Sequence, residues 1–264
     1  GWASYGIIFT VLAPVRIHPA AVHAVILAIP IIIVVTAAEL RRAVWRRFRR
    51  LFSSSAEGAS EPLYAAGFIV CIVVLSFHLA DAAMPERYYD ALAMHLYIPS
   101  YVAGHQAWSF DVSNYAFAYM AMAVDFLYAN VFLLQGEQAA RLLNFVALLF
   151  ICIAIFRIAV RCCSRVAAIW AIALFVSIPV VLIESTSLFI EHSVALFIIY
   201  AVLAIILADF RVSLLSHTVV MILRAAATAS KLHGAVGAVA IGTASSAFYL
   251  LYPRKQSEYI KFSI

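Results

Sequence analysis

Long apolar runs recur along this sequence, and they restrict its fold more than any other feature. A transmembrane helix needs roughly 20 consecutive apolar residues, and several runs approach that length. The runs are continuous rather than alternating, which argues against strands, and backbone in lipid must be paired within helices or closed barrels. We therefore predict an all-α, polytopic transmembrane helical bundle that forms a single domain over residues 1–264. The predicted spans are residues 17–38, 63–80, 138–160, 166–183, 187–208, 213–230 and 234–252.

The composition places the chain outside the class of soluble proteins. Hydrophobic residues make up 66% of it and charged residues only 12%, whereas soluble domains are nearer half apolar and a quarter charged. The formal charge of +5 owes much to the arginines of one short segment, residues 41–50. Arginines beside a span primarily set topology and secondarily attract acidic lipid headgroups. No folded platform surrounds this segment, so the chain is predicted to bind the lipid bilayer and no nucleic acid.

The four cysteines predict neither a disulfide framework nor a zinc site. Cys71 and Cys152 lie inside apolar runs, and Cys162 and Cys163 are adjacent to each other. None falls in the polar loop, and the spacing is not that of metal ligands.

Charge placement decides the topology. The arginines of residues 41–50 are predicted to be cytoplasmic, which carries residues 81–112 to the other side. Residues 113–134 are apolar enough to span, but a span there would move Arg157, Arg161 and Arg165 outside. An interfacial or re-entrant helix over 113–134 keeps these arginines in the cytoplasm.

The same choice also keeps Arg211, Arg254 and Lys255 inside. The sequence therefore predicts a large first outer loop over residues 81–137, containing juxtamembrane helices. Two further segments, from Glu184 to Glu191 and from Lys231 to Gly234, are then expected to meet this loop at one membrane surface.

The outer loop contains the first residues that are able to carry chemistry. Glu86 and Asp90 are four residues apart, so a helix would place both carboxylates on one face. His95 follows five residues after Asp90. A partly desolvated carboxylate has a raised pKa and suits a general base. The simpler interpretation is that Asp90 faces water, and composition alone favours it.

Three stretches of this loop together resemble bacterial C-type (GT-C) membrane glycosyltransferases, relatives of the protein O-mannosyltransferases and lipid A aminoarabinose transferases. They are YYDALAMHLYIP, AVDFLYA and GEQAARLLNF. Asp90 occupies the acidic position of the family and Pro99 matches the proline that follows. Met94 replaces the more usual aromatic residue before His95.

Two later stretches extend the resemblance to about residues 63–245. ESTSLFIEHSVALFIIYAVLAIIL resembles the outer segment in which an acidic residue opens a span, with Glu184 and Glu191 as candidates. AAATASKLHGAV resembles a small-residue helix that ends in a lysine followed by a glycine, here Lys231 and Gly234.

The resemblance implies an inverting transfer from a polyprenyl-phosphate-linked sugar donor to an unknown acceptor at the outer face. Asp90 is then the general base, and Lys231 or Arg87 stabilises the departing lipid phosphate. The predicted substrate-binding residues are Glu86, Arg87, His95, Lys231, Glu184 and Glu191. The expected location is the bacterial inner membrane, with several spans.

A divalent metal ion is possible but not expected to be obligatory. Asp111, Asp125 and Glu137 are potential partners of Asp90, but their spacing has no recognisable ligand pattern.

Two other functions stay open. A transporter would use Arg224, Glu184, Glu191 and His192 as an intramembrane polar path, although no inverted repeat is visible. A non-catalytic membrane subunit is the second alternative, because the chain is short for the family. The sequence begins with Gly1 rather than Met, so the hypothesis of a piece of a longer protein also stays open.

Overall fold

The computed structural model describes residues 2–12, 15, 19–43, 45–46, 61–108, 110–111, 113–208 and 214–251, and these contain helices and no strand. A π-helical turn covers Ala91–Leu96 and a 3₁₀ turn covers Ala116–Tyr119. The α-helices are α1 (Trp2–Leu12), α2 (Ala20–Thr36), α3 (Pro62–Ala82), α4 (Tyr97–His105), α5 (Ala123–Cys162), α6 (Arg165–Val176), α7 (Pro179–Thr186), α8 (Glu191–Leu207), α9 (Leu214–Ser230) and α10 (Leu232–Leu251). The predicted all-α class is confirmed for this part of the chain.

Two of the described helices, α3 and α5, are long and apolar enough to cross a membrane. A third span results if α6 and α7, which meet at an angle of 71°, are taken as one broken span. The helices α1, α2 and α8 are apolar but shorter, with 11, 17 and 17 residues. The complete polytopic bundle therefore stays a prediction.

The apolar surface of the long helices fits a lipid environment. Large hydrophobic side chains stay exposed along α2 and α3, where soluble proteins rarely have continuous apolar patches. These side chains include Ile31, Ile32, Val35, Phe68, Ile69 and Phe77.

The predicted span 166–183 is not one continuous helix. The chain leaves the helical conformation at Ile178, whose φ of −70° and ψ of 123° are extended. The reason is Pro179, because a proline ring disfavours helical geometry in the residue before it and has no N–H to continue the helix. Pro179 instead opens α7, where its missing N–H costs nothing.

The interfacial helix predicted over residues 113–134 is not observed as such. Its first part contains the 3₁₀ turn, and α5 begins at Ala123 and runs on to Cys162. A kink at Gly136, with φ of 74° and ψ of −165°, divides α5 just before the predicted span 138–160. Residues 123–130 are buried within the protein, so this stretch packs against other helices instead of lying on a surface.

One apolar cluster joins the predicted outer loop to the second half of the chain. We call it the central cluster. It brings together residues of α1, the π-turn, α5, α8, α9 and the segment before α8. Its buried members are Ala3, Ala91, Val124, Leu127, Tyr128, Ala140, Leu188, Ile190, Val194, Phe197, Ala226 and Ala227.

Candidate functional site

The three segments that the sequence assigns to one surface do meet in space. Ala91 follows Asp90 directly, Ile190 precedes Glu191, and both are fully buried in the central cluster. Ala227, in the last turn of α9, belongs to the same cluster and accepts a backbone hydrogen bond from Lys231. Apolar packing beside each polar residue thus holds the three segments together.

His95 forms a deeply buried polar pair in this region. Its Nδ1 atom lies 2.5 Å from Oδ1 of Asp125, and the two side chains are 5% and 0% exposed. The π-turn carries His95 inward, and the first turn of α5 supplies Asp125. Burial lowers the pKa of His95, but the Asp125 carboxylate outweighs it through its charge and hydrogen bond and raises that pKa. Glu191 raises the same pKa and Lys231 lowers it, which places both groups nearby.

Lys231 and Glu191 form an ion pair across the interface between α8 and the turn from α9 to α10. The Lys231 ammonium contacts Oε1 of Glu191, and the two side chains are 31% and 29% exposed. The turn depends on Gly234, because a Cβ there would overlap the backbone carbonyl of Ala227. The sequence motif of a lysine followed by a glycine therefore has a geometric reason: the glycine lets the turn close and present Lys231 to Glu191.

Asp90 is exposed and makes no hydrogen bond or ion pair with the described residues. Asp90 is the N-cap residue of the π-turn and has helical φ and ψ angles. Its side chain accepts no hydrogen bond from the N–H groups of that turn. The carboxylate therefore stays accessible at the edge of the central cluster. The sequence prediction that pairs Asp90 with Glu86 on one face is not reproduced by any contact.

Glu86, predicted to bind substrate, is instead saturated within the protein. Its Oε2 atom accepts hydrogen bonds of 2.8 Å from the Ser187 hydroxyl and from the Leu188 N–H. Its Oε1 atom accepts from the N–H groups of Arg87 and Tyr88 at 2.9 and 3.1 Å. Such a carboxylate fixes the loop to the segment between α7 and α8 and has little capacity left for a ligand.

Arg87 lies beside Glu86 but points the other way. Its guanidinium is 2.9 Å from Oδ1 of Asp81, and its side chain is 59% exposed. It also lies over the Tyr88 ring, 5.4 Å from the centroid. The side chain of Tyr88 and the charge of Asp81 raise the pKa of Arg87, so it stays a cation.

Two buried polar residues of α5 clamp the same segment. Arg141 is completely buried and donates to the backbone carbonyls of Thr186 and Asp81 at 2.8 and 3.0 Å. Nδ2 of Asn144 lies 2.5, 2.7 and 3.0 Å from the carbonyl oxygens of Glu184, Ser187 and Phe189, which share its two N–H donors. Both residues thus attach α5 to segments that are distant along the chain.

Glu184 lies on α7 near His192 of α8. Its Oε2 atom is 3.8 Å from Nδ1 of His192, which is too far for a hydrogen bond. Both residues line a cavity of about 210 Å³ together with Glu191. The predicted site residues therefore form two adjoining groups. One surrounds His95 and Lys231, and the other lines the cavity.

The sequence alone does not identify the partner of His95. Asp125 has the right residue type, but it is 30 residues away along the chain. The one available signal is an acidic residue inside an apolar stretch, which usually has a partner. Arg141 and Asn144 carry the same kind of signal, because buried charged and amide groups must find hydrogen bonds.

The described residues contain no group of three or more His, Cys, Asp or Glu side chains that is able to hold a metal ion. The Asp125 carboxylate is paired with His95. The Asp111 carboxylate accepts hydrogen bonds from Ser113 and Asn114 within its own turn. Oε1 of Glu137 accepts a hydrogen bond from the Glu86 N–H.

No protein-family model, no curated protein and no solved structure matches this chain. The resemblance to membrane glycosyltransferases therefore depends on the motifs quoted above. The geometry of the site supplies the independent basis for a functional proposal.

Proposed function

We propose that this chain is a membrane glycosyltransferase that moves a sugar from a polyprenyl-phosphate-linked donor to an acceptor at the outer face. The observation that carries the proposal is that Ala91, Ile190 and Ala227, the neighbours of Asp90, Glu191 and Lys231, pack in one apolar cluster, beside which Glu191 and Lys231 form an ion pair. These residues come from three distant motifs that resemble the family in the same order. The proposal places the protein in the bacterial inner membrane, with the lipid donor entering from the bilayer.

Asp90 is the general base in this proposal. Its carboxylate is exposed and unpaired among the described residues, so no internal cation competes with an incoming hydroxyl group. The carboxylate takes the proton of the acceptor hydroxyl, and the acceptor oxygen forms a bond to the anomeric carbon. The bond from that carbon to the lipid phosphate oxygen breaks, and the phosphate keeps the electron pair. A single displacement of this kind inverts the anomeric centre.

A cation near the phosphate lowers the barrier of such a step. Lys231 and Arg87 both hold carboxylate partners, Glu191 and Asp81. Lys231 is the better placed of the two, because it lies beside the His95–Asp125 pair while Arg87 points into solvent. The Lys231 ammonium then shares its donors between Glu191 and the phosphate.

The test compares Asp90→Asn with Asp111→Asn, an exposed aspartate of the same loop. Each variant is reconstituted in vesicles and assayed for transfer of labelled sugar from a polyprenyl-phosphate donor, with and without a metal chelator. We expect Asp90→Asn to fold normally and to lose transfer by about 100-fold or more, the usual weight of a general base. Undiminished transfer by Asp90→Asn removes the assignment.

The orientation is tested by thiol labelling. Cys162 and Cys163 are exposed at the end of α5, which is predicted to be cytoplasmic. Tyr89, beside Asp90, is 83% exposed, so Tyr89→Cys in a Cys162→Ser, Cys163→Ser background reports on the opposite side. A membrane-impermeant reagent is expected to label Tyr89→Cys from outside and the natural pair from inside. Labelling of Tyr89→Cys from the cytoplasm alone overturns the topology.

One observation favours a transporter as the second candidate. The cavity that Glu184 and His192 line also touches both sides of the break between α6 and α7, and transporters place polar groups at broken helices. The Asp90→Asn assay separates the two, because a transporter is expected to show no sugar transfer even as the unmodified protein.

A further inference from the structure

A polar cavity lies beside the Lys231–Glu191 pair and is partly open to the protein surface. The cavity of about 210 Å³ lies between α5, α6, α7 and α8, and three of its lining residues are ionisable: Glu184, Glu191 and His192. The other lining residues are Ile151, Phe175, Val180, Val181 and Ala195. The cavity thus has one polar end and apolar walls.

The polar end has hydrogen-bonding groups without partners. His192 is 5% exposed, and both of its ring nitrogens are buried with no hydrogen-bond partner among the described residues. The Oε2 atom of Glu191 is in the same condition, although Oε1 of that carboxylate binds Lys231. Buried polar atoms in folded proteins nearly always have a partner, so such a group of unmet atoms in a cavity indicates a ligand.

Counted together with the partly exposed Glu184 carboxylate, the polar end of the cavity offers more acceptors than donors. A carboxylate accepts only, and a neutral imidazole has one acceptor and one donor nitrogen. Glu184, Glu191 and His192 therefore offer at least three acceptors against a single donor. A hydroxyl group supplies one donor, whereas an alkylammonium group supplies three.

The charges around the cavity also favour an alkylammonium group over a hydroxyl group. Glu184 and Glu191 are two acids, and Lys231 compensates Glu191. Glu184 has no Lys or Arg partner among the described residues, since its nearest ionisable neighbour is His192 at 3.8 Å. One further positive charge would balance this end of the cavity, where the Glu184 side chain is only 26% exposed and therefore partly desolvated.

We propose that this cavity binds a primary ammonium group attached to a short aliphatic chain. The ammonium donates to Glu184, to Oε2 of Glu191 and to His192, and the chain packs on the apolar walls. The cavity shares Glu191 with the ion pair of the proposed transfer site. Binding of the ammonium group is measured without sugar transfer, so failure of this proposal is distinguishable from failure of the proposed function.

The test is calorimetric titration of the full chain, purified in detergent, with n-butylammonium chloride. We expect saturable binding that strengthens about fourfold for each CH₂ group from ethyl- to butylammonium, as burial of a methylene group predicts. Neutral n-butanol has the same chain and lacks the charge, and it is expected to bind at least about tenfold more weakly. Partition into the detergent is the same for all variants and is subtracted.

Two variants and one control assign the binding to this cavity. Glu184→Gln removes the uncompensated charge, and Ala195→Leu fills the cavity from an exposed position of α8. Each is expected to weaken n-butylammonium binding about tenfold or more, whereas Glu39→Gln, an exposed acid outside the cavity, leaves it unchanged. Absence of saturable binding, equal binding of n-butanol, or unaltered affinity in Glu184→Gln overturns the proposal.

Discussion

His95 Nδ1 and Asp125 Oδ1 lie 2.5 Å apart in a region where both side chains are buried. The contact joins the π-turn of the outer loop to the start of α5, 30 residues further along the chain. The second carboxylate oxygen of Asp125, Oδ2, is buried and has no partner among the described residues. The stability of the packing between the π-turn and α5 therefore depends strongly on the single contact between Asp125 and His95.

Asp125→Asn is expected to destabilise the protein by about 3–5 kcal/mol, the cost of breaking a buried charge pair from one side. Asparagine fills the same volume but leaves the imidazolium without its counter-charge. The free energy of unfolding in detergent is the measurement, and Asp111→Asn is the exposed control. A change below about 1 kcal/mol contradicts a charged His95–Asp125 pair.

The same pair predicts how stability depends on pH. Because Asp125 raises the pKa of His95 above its ordinary value of 6.5, the folded protein binds this proton more tightly than the unfolded chain does. The stabilisation is complete below the unfolded pKa and is lost as the pH rises through the folded pKa. We expect Tm to fall as the pH rises above the ordinary pKa of 6.5, and to fall less steeply in Asp125→Asn. A Tm that rises over this range contradicts the assignment.

Glu86 and Arg87 are adjacent in the chain, but their substitution is expected to change the stability of the protein by very different amounts. Glu86→Gln places an amide NH₂ or a neutral oxygen where the carboxylate now accepts from Ser187 and Leu188. We expect a loss of about 2–4 kcal/mol, because several buried hydrogen bonds are affected. Arg87→Gln removes an exposed ion pair and is expected to cost under about 1 kcal/mol. Equal costs in denaturant unfolding contradict the structural role of Glu86.

The all-α class was predictable because apolar run length decides which segments become helices. The predicted span 63–80 corresponds to α3 (Pro62–Ala82), which is long and apolar enough to cross a membrane. The segment 213–230 is helical as α9 (Leu214–Ser230), and its assignment as a span stays a prediction. The break at Ile178 was foreseeable in principle from Pro179. The burial of residues 123–130 was not foreseeable. It involves contacts such as that between Asp125 and His95, which no local sequence pattern contains.

The sequence indicated which residues lie near the candidate site, but not which of them contact each other. Glu191 and Lys231 belong to motifs that the sequence places on one surface, and the structure pairs them. Glu86 carries the same sequence signal as Asp90, namely an acid in a polar loop. Only the contacts of Glu86 with Ser187 and Leu188, about 100 residues away, distinguish a structural carboxylate from an accessible one.

Gly136 is expected to be essential for the kink in α5. Its φ of 74° and ψ of −165° belong to a region that residues with a side chain avoid, although a Cβ at this position would meet no heavy atom within 4 Å. Gly136→Ala should therefore cost about 1–3 kcal/mol through backbone strain alone. Gly104, inside α4 with equally open surroundings, is the control: Gly104→Ala is expected to stabilise by up to about 1 kcal/mol. A neutral Gly136→Ala contradicts the kink.

Asn144 offers a test in which a nearly isosteric change is expected to be worse than an apolar one. The carbonyls of Glu184, Ser187 and Phe189 share the two N–H donors of its side-chain amide, and the residue is completely buried. Asn144→Leu leaves these carbonyls without the donor, at a cost of roughly 3 kcal/mol. Asn144→Asp also places a carboxylate oxygen against the three carbonyl oxygens, and burial of that charge adds to the cost.

The expected order of stability is therefore Asn144, then Asn144→Leu, then Asn144→Asp, measured by unfolding in detergent. Hydrogen exchange at residues 184–189 is expected to accelerate in both variants, because this segment loses its attachment to α5. Gln138→Leu is the control, since Gln138 is exposed and donates to Ala83 alone among the described residues. If Asn144→Asp is the more stable of the two variants, the amide does not hold the three carbonyls. The segment that carries Glu184 toward His192 must then be positioned by Arg141, through its hydrogen bond to Thr186.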